Sequence, residues 1–191
     1  KANGGKRRAI ASGFKISKGR YVVLIDSDSI IDSNGITEFV KTFCSNPEIG
    51  AVVGNVKAWN KTKNILTKCQ DVWYDVLFNI TKSCESYFGT VLCCSGCFSA
   101  YRREAIENFI GVWSEATIPY SDDRQLTTLA LSKPWSKKDL LSAFSQNRLN
   151  SASKFDDAED RILTGQSLLE WKVKYVSSAF AYTDVPESLK K

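Results

Sequence analysis

Asp26 and Asp28 stand one residue apart directly after an unbroken apolar run, YVVLI, and together they could hold one hard cation. A Mg²⁺ or Mn²⁺ bound by one or two carboxylates keeps open positions for phosphate oxygens. Alone, Asp26-Ser27-Asp28 reads equally well as an acidic turn, because the pattern is short and common. The run before it shifts the balance. Apolar and β-branched residues without alternation are what a strand buried on both faces of a parallel sheet requires. The two carboxylates then emerge at the C-terminal edge of that strand, where open α/β sheets bind their ligands.

Three further groups carry chemistry. Gly4-Gly5-Lys6-Arg7 places two cations after glycines that let backbone approach a phosphate or carboxylate. It lacks the spacing and trailing hydroxyl of a P-loop, and alone it is a basic turn. Ser95-Gly96-Cys97, backed by Tyr101-Arg102-Arg103, offers a small surface with exposed N–H groups suited to a sugar ring. The last is a near-repeat, Asp122-Asp123-Arg124 against Glu159-Asp160-Arg161, each followed by x-Leu-Thr. Histidine is absent, so a carboxylate is the natural general base for an acceptor hydroxyl. Each motif also reads as a helix N-terminal carboxylate with an ion pair.

The elements that must position these groups alternate. A short helix ends near Ser17, and YVVLID is a strand. Asp32 caps a helix over 35–44 with Ile36, Phe39, Val40 and Phe43 at helical spacing. AVVGNVKAW is a second strand interrupted by Gly54. From Asn64 to Phe88, Ile65, Cys69, Val72, Val76 and Ile80 recur every three or four residues, predicting a long helix. TVLCCSG is a third strand leading to a helix from FSAYRREAIENFI. A helix over ILTGQSLLEWK and a strand over KYVSSAFAYTDV close the chain. Strand and helix in alternation predict an α/β fold, with 121–157 as an inserted helical segment within one domain spanning 1–191.

Composition bounds the class. With 191 residues, 43% hydrophobic and 25% charged, the chain can bury a core. A net charge of +5 is too mild to name a partner, and no basic-aromatic stretch marks a nucleic-acid face. Six cysteines without histidine exclude Cys/His zinc sites, and the bland expectation is buried thiols. No apolar run reaches the length of a membrane span. The chain opens on KANGGKRRAI without Met and stops at PESLKK, so both ends are expected to be cut from a longer protein.

In order, GGKR, YVVLIDSDSIID, EIGAVVGNV, SYFGTVLCCSGCFSAYRREAI, the DDRQLT and EDRILT pair and YTDVP resemble the processive family 2 glycosyltransferases: hyaluronan, chitin and cellulose synthases. SYFG leading into C-x-S-G and then Tyr-Arg is closest to the hyaluronan and chitin branch. The likeness covers Gly4 to Lys191. It implies a mixed, mostly parallel, Rossmann-like sheet of GT-A type, truncated at both ends. It also implies an inverting, metal-assisted transfer of a sugar, GlcNAc or GlcA, from a UDP-sugar to a growing β-linked polysaccharide.

On the matching positions the resemblance implies that Lys6 and Arg7 lie near the nucleotide. Asp26 would contact nucleotide or donor sugar, and Asp28 would ligate Mg²⁺ or Mn²⁺. Ser95 and Gly96 would shape the sugar pocket, and the acidic-Asp-Arg motif would supply the base. Rank order after SGC favours Asp123, whereas the helix and strand before TDVP favour Asp160, beside Glu159. The second criterion is the stronger structural requirement, so Asp160 is the favoured base. The full protein would carry transmembrane helices elsewhere, with this domain at the cytoplasmic face of the membrane.

Three departures accompany the resemblance. Cys97 stands where hyaluronan synthases usually carry Pro. The family's first strand would precede Lys1, and its Gln-x-x-Arg-Trp motif would follow Lys191, so the fragment alone is expected to be inactive. The competing readings are a non-catalytic sugar-nucleotide-binding fragment and a Mg²⁺-dependent nucleotidyltransferase or phosphatase.

Overall fold

The structure, a computed structural model, describes residues 4–115, 122–131 and 171–188. Helix α1 (Lys6–Ile16) leads to β1 (Tyr21–Leu24), β2 (Ser29–Ile31) and α2 (Gly35–Ser45). Strand β3 (Ile49–Ala58) follows, then a long helical rod. The rod is α3 (Ile65–Asp75), a π-helical stretch (Val76–Lys82) and α4 (Ser83–Phe88). Strand β4 (Ser99–Arg102), helices α5 (Arg103–Ile106), α6 (Ile110–Glu115) and α7 (Asp122–Leu131), and strand β5 (Lys172–Thr183) complete the described elements. The favoured helix at 162–172 lies outside them, apart from its last two residues; of these Lys172 opens β5.

The strands form one mixed sheet in the order β1-β4-β3-β5-β2. β3 and β5 pair in parallel; β4 runs antiparallel to both β1 and β3, and β2 antiparallel to β5. Strands β1, β3 and β5 therefore point one way, which puts the exit of β1 at the same sheet end as the exits of β3 and β5. Apolar side chains cover both faces. Ala51, Val53, Tyr101 and Val173 meet Phe14, Phe78, Trp113 and Leu126 on one. Val52, Ala100 and Ala181 meet Phe39 and Phe43 on the other.

Four expectations change. β1 is half-buried along its length rather than enclosed, because it is the sheet edge and pairs only with β4. TVLCCSG is not a strand: Thr90 makes one bridge to Val173, and the extended segment is Ser99–Arg102. Gly54 does not interrupt β3 but allows a bulge at Gly54/Asn55, since a Cβ there would overlap Phe98 and the Ala179 carbonyl. Of the four apolar side chains at helical spacing in α2, Phe39 and Phe43 are buried while Ile36 and Val40 face out.

The largest change concerns the rod. Its start is secured by a capping box, Asn64 Oδ1 accepting from Thr67 N–H and Thr67 Oγ1 accepting from Asn64 N–H. Its aliphatic stripe faces outward: Ile65, Cys69, Val72, Val76 and Ile80 are all exposed. The buried side carries Thr67, Phe78 and Lys82 instead, with Tyr74 half-buried beside them. Phe78→Ala is therefore expected to cost about 3–5 kcal/mol of stability, whereas Ile80→Ala should stay within about 0.5 kcal/mol. Urea unfolding of the two variants checks the assignment, and equal losses would refute it.

Candidate functional site

The N-terminus of α1 lies across the sheet end from the exit of β1. Gly5, at φ 85°, makes the left-handed turn that starts the helix and sets Lys6 on the side of the sheet. Lys6 Nζ sits 2.9 Å from Asp26 Oδ1 and 3.5 Å from Asp123 Oδ1. The other oxygen of Asp123 accepts the Gly96 N–H at 2.8 Å. Four sequence-predicted residues, Lys6, Asp26, Gly96 and Asp123, thus converge from α1, β1, the loop before β4, and α7.

Each approach has a local cause. At Gly96 a Cβ would lie 2.5 Å from Lys6 Nζ and 2.9 Å from Asp123 Oδ2, so any larger residue would push the ends of these two side chains aside. Asp123 is placed by Thr127, whose hydroxyl donates to the Asp123 carbonyl at 2.7 Å and accepts from Cys94 N–H at 2.8 Å. Tyr101 OH lies 3.2 Å from the same hydroxyl. Burial pulls the Lys6 ammonium down, but the hydrogen bond to Asp26 and the charge of Asp123 outweigh it and hold the group above its ordinary value. Lys6 is a fixed cation with two anionic neighbours.

Arg7 does not join this cluster. Its guanidinium is buried, 2.6 Å from Asp122 and stacked 5.6 Å from the Trp113 ring centroid, so it ties α1 to α6 and α7. Arg102 and Arg103 are likewise structural. Arg102 donates to the Ile49 and Phe43 carbonyls, and Arg103 donates to the Gly19 carbonyl and the Ser17 hydroxyl. Ser95 closes the turn before β4, accepting from Cys97 N–H at 3.4 Å. Glu159 and Asp160 lie outside the described residues.

Asp28 is exposed, and among the described residues no side chain pairs with it, whereas Asp26 is held by Lys6. No group of three His, Cys, Asp or Glu side chains that could hold a metal occurs among the described residues. Among the described residues, the carboxylates that could meet a hard cation at the exit of β1 are those of Asp28 and Asp26. That sparse, all-oxygen set fits Mg²⁺ or Mn²⁺ sharing its shell with phosphates, and does not fit a self-contained protein cage.

One residue that feels the charges of this site, Tyr74, escaped sequence reasoning, and Cys97 of the Ser95-Gly96-Cys97 turn feels them too. Tyr74 of α3 is half-buried, with its phenol raised by burial and then by the charges of the Cys97 thiol and the Asp28 carboxylate. Cys97 is raised by burial, opposed by hydrogen bonds with Ser95 and Ser29 and reinforced by Asp26 and Asp28. The signal for Tyr74 was its position three residues after Asp71 and four before Phe78, on the side of the rod that turns inward.

Nor are the cysteines uniformly buried. Cys44, Cys69 and Cys84 are exposed, and Cys94 is enclosed with its thiol pushed up to about 12 by burial. At pH 8 iodoacetamide should alkylate the three exposed thiols and spare Cys94 until the chain unfolds. Peptide mapping by mass spectrometry reads this directly, and early Cys94 labelling would contradict the packing.

Known proteins resemble this chain in sequence and in fold. The chitin synthase-like glycosyltransferase domain matches residues 8–191. Hyaluronan synthase 2 of Gallus gallus is 34% identical over 142 residues, 71% of this chain and 26% of that protein. Hyaluronan synthase 3 of Mus musculus is 32% identical over 136 residues, 68% of this chain and 24% of that protein. The chain thus spans about a quarter of the length of these relatives. A mannosyltransferase from Pyrobaculum calidifontis, solved with GDP-Man and Mn²⁺, superposes with a TM-score of 0.59 at 17% identity. It covers 97% of this chain and 38% of that one, a likeness of fold. No helix among the described residues is long and apolar enough to cross a membrane.

Proposed function

The chain belongs to the chitin synthase-like glycosyltransferase family, and from that premise we propose that it is the donor-binding part of a polysaccharide synthase. The reaction moves a sugar, GlcNAc or GlcA, from a UDP-sugar to the end of a β-linked chain, inverting the anomeric carbon. The observation that carries this reading is the convergence of Lys6, Asp26, Gly96 and Asp123 at the sheet end where β1 delivers Asp28. The structural neighbour's GDP-Man and Mn²⁺ support a sugar nucleotide with a divalent metal.

Asp28, with Asp26 behind it, would hold Mg²⁺ or Mn²⁺, which when bound supplies charge stabilisation to the departing diphosphate. Lys6 contributes a second cation on the same side, poised to meet phosphate oxygens. Gly96 and Ser95 form a floor on which a sugar ring approaches backbone closely. Asp123 takes the proton of the acceptor hydroxyl. It is preferred to Asp160 because its carboxylate is in contact with the other site residues. The domain works at the cytoplasmic face of a membrane, where nucleotide sugars are supplied.

The experiment is calorimetry of the chain with UDP-GlcNAc, UDP-GlcA and UDP, each with and without Mn²⁺. Metal-dependent binding of at least one UDP-sugar is expected. Binding of none, with or without metal, would sink the reading.

A further inference from the structure

The inward side of α3 has a second use. Past the bulge, β3 and β5 run on beyond β4, with β2 along the outer side of β5, and leave a cavity of about 430 Å³ against α3, the size of a small-ligand site. Trp59 and Tyr182 form its aromatic wall, edge to face with ring centroids 5.9 Å apart. The Trp59 side chain is 61% exposed although its backbone N–H is fixed to the Thr183 carbonyl at 2.8 Å. The rim is clamped by Asn60, which donates to the Val185 carbonyl at 2.9 Å and accepts from Val185 N–H at 3.0 Å. A large indole held rigidly at the mouth of a cavity is a surface prepared for a flat apolar face.

The polar lining narrows the ligand. Lys57 pairs with Asp75, and Lys61 lies 3.7 Å from Asp71. Two cations and two anions cancel, so the cavity has no electrostatic preference for a diphosphate, a nucleotide or a uronate. It does present several donors and acceptors around an aromatic platform. A pyranose ring matches both features, with C–H groups over the indole and equatorial hydroxyls toward the paired side chains.

Its position links it to the donor cluster. Ser29, next to Asp28, pairs with Thr183, and Ile30 pairs with Tyr182 of the cavity wall. Asp71 and Asp75 of the lining flank Tyr74 on α3, whose phenol is raised by burial and then by the charges of Cys97 and Asp28.

We propose that the cavity between α3 and the ends of β3 and β5 is a saccharide subsite for an uncharged pyranose unit of the polymer. It is separate from the donor cluster and shares the α3 wall with it. The proposal rests on the synthase reading for the identity of the polymer, and on the cavity alone for the chemistry of binding.

The test uses the chain itself, titrated with the β-linked tetrasaccharide of GlcNAc by calorimetry and tryptophan fluorescence. Trp59→Ala and Asp75→Asn should each weaken tetrasaccharide binding about tenfold, the scale of one aromatic or polar anchor. Their Mn²⁺-dependent UDP binding should be unchanged, as should their thermal midpoints. Asp28→Asn should do the reverse, losing UDP and keeping the tetrasaccharide. Failure of the tetrasaccharide to bind, or binding to both cavity variants as tight as to wild type, overturns the subsite and leaves the donor reading standing. Loss of UDP binding in Trp59→Ala would instead make the cavity part of the nucleotide site and equally overturn the proposal. Tetrasaccharide binding lost in the cavity variants, with no UDP binding to wild type, would retain the subsite and remove the donor reading.

Discussion

Asp28→Asn is expected to remove Mn²⁺-dependent UDP-sugar binding from this chain and to abolish transfer in a protein extended to the length of its relatives. The substitution keeps the shape of the side chain and removes the charge that a hard cation needs. Loss of outer-shell partners alone typically costs 10–100-fold in metal affinity or activity. For a direct ligand in a two-donor set, a loss of at least about 100-fold is expected. Asp26 cannot compensate, because Lys6 already holds it at 2.9 Å. The measurement is UDP release from UDP-GlcNAc over a Mn²⁺ titration, beside calorimetry on the chain. Activity restored by raised Mn²⁺ would identify a weakened ligand. Unchanged activity at limiting Mn²⁺ would refute the metal role of Asp28.

The second large effect is expected at Asp123. An asparagine there retains an oxygen for the Gly96 N–H but cannot accept the acceptor's proton. General-base removal typically costs about 10²–10⁴-fold in turnover. The KM for the donor should move little, because the asparagine keeps an oxygen for the Gly96 N–H and Lys6 stays paired with Asp26. That split separates a base from a merely structural carboxylate, whose loss would disturb donor binding and turnover together. Asp160→Asn in parallel decides between the two motifs. A turnover collapse in Asp160→Asn with Asp123→Asn near wild type would reassign the base to Asp160 and leave Asp123 as a clamp on α7 and the Gly96 turn.

The near-repeat offers two candidate bases, and two criteria rank them in opposite order. Counting back from TDVP favoured Asp160, since a helix and strand must precede that motif and a loop insertion costs little. Asp123 is selected by a different criterion, contact in space. Thr127, one turn later on α7, ties the Asp123 carbonyl and the Cys94 N–H together. A hydroxyl shared between an α-helix and a loop 33 residues away leaves no periodic trace in sequence.

Glycine-Lys6, the carboxylates after YVVLI, and Ser95-Gly96 before a strand were legible from the sequence because each depends on local chemistry. A cation after glycines, anions leaving a strand and a residue without a side chain keep their meaning wherever the chain goes. The ordered motifs likewise sufficed to identify the family, because their succession is a property of sequence. So did the presence of a helix from Asn64 to Phe88, since periodicity reports a helix regardless of its neighbours.

What periodicity cannot report is which face a helix turns inward. Along the rod, Ile65, Val72, Val76 and Ile80 make the more apolar stripe and yet face out, while Thr67, Phe78 and Lys82 are buried. The inward face is set by partners distant in the chain. The Lys82 ammonium donates to the Cys93 carbonyl, and Phe78 packs near Tyr175 with centroids 6.4 Å apart. Asp75 pairs with Lys57 on β3. Contacts of the same kind pair Arg7 with Asp122 and Lys6 with Asp26, and bring Trp59 and Tyr182 to one cavity. Sequence determined the chemical groups and the elements that carry them. Tertiary structure alone decided which groups meet, because charge pairing and ring packing across the sheet act between residues whose separation in the chain is arbitrary.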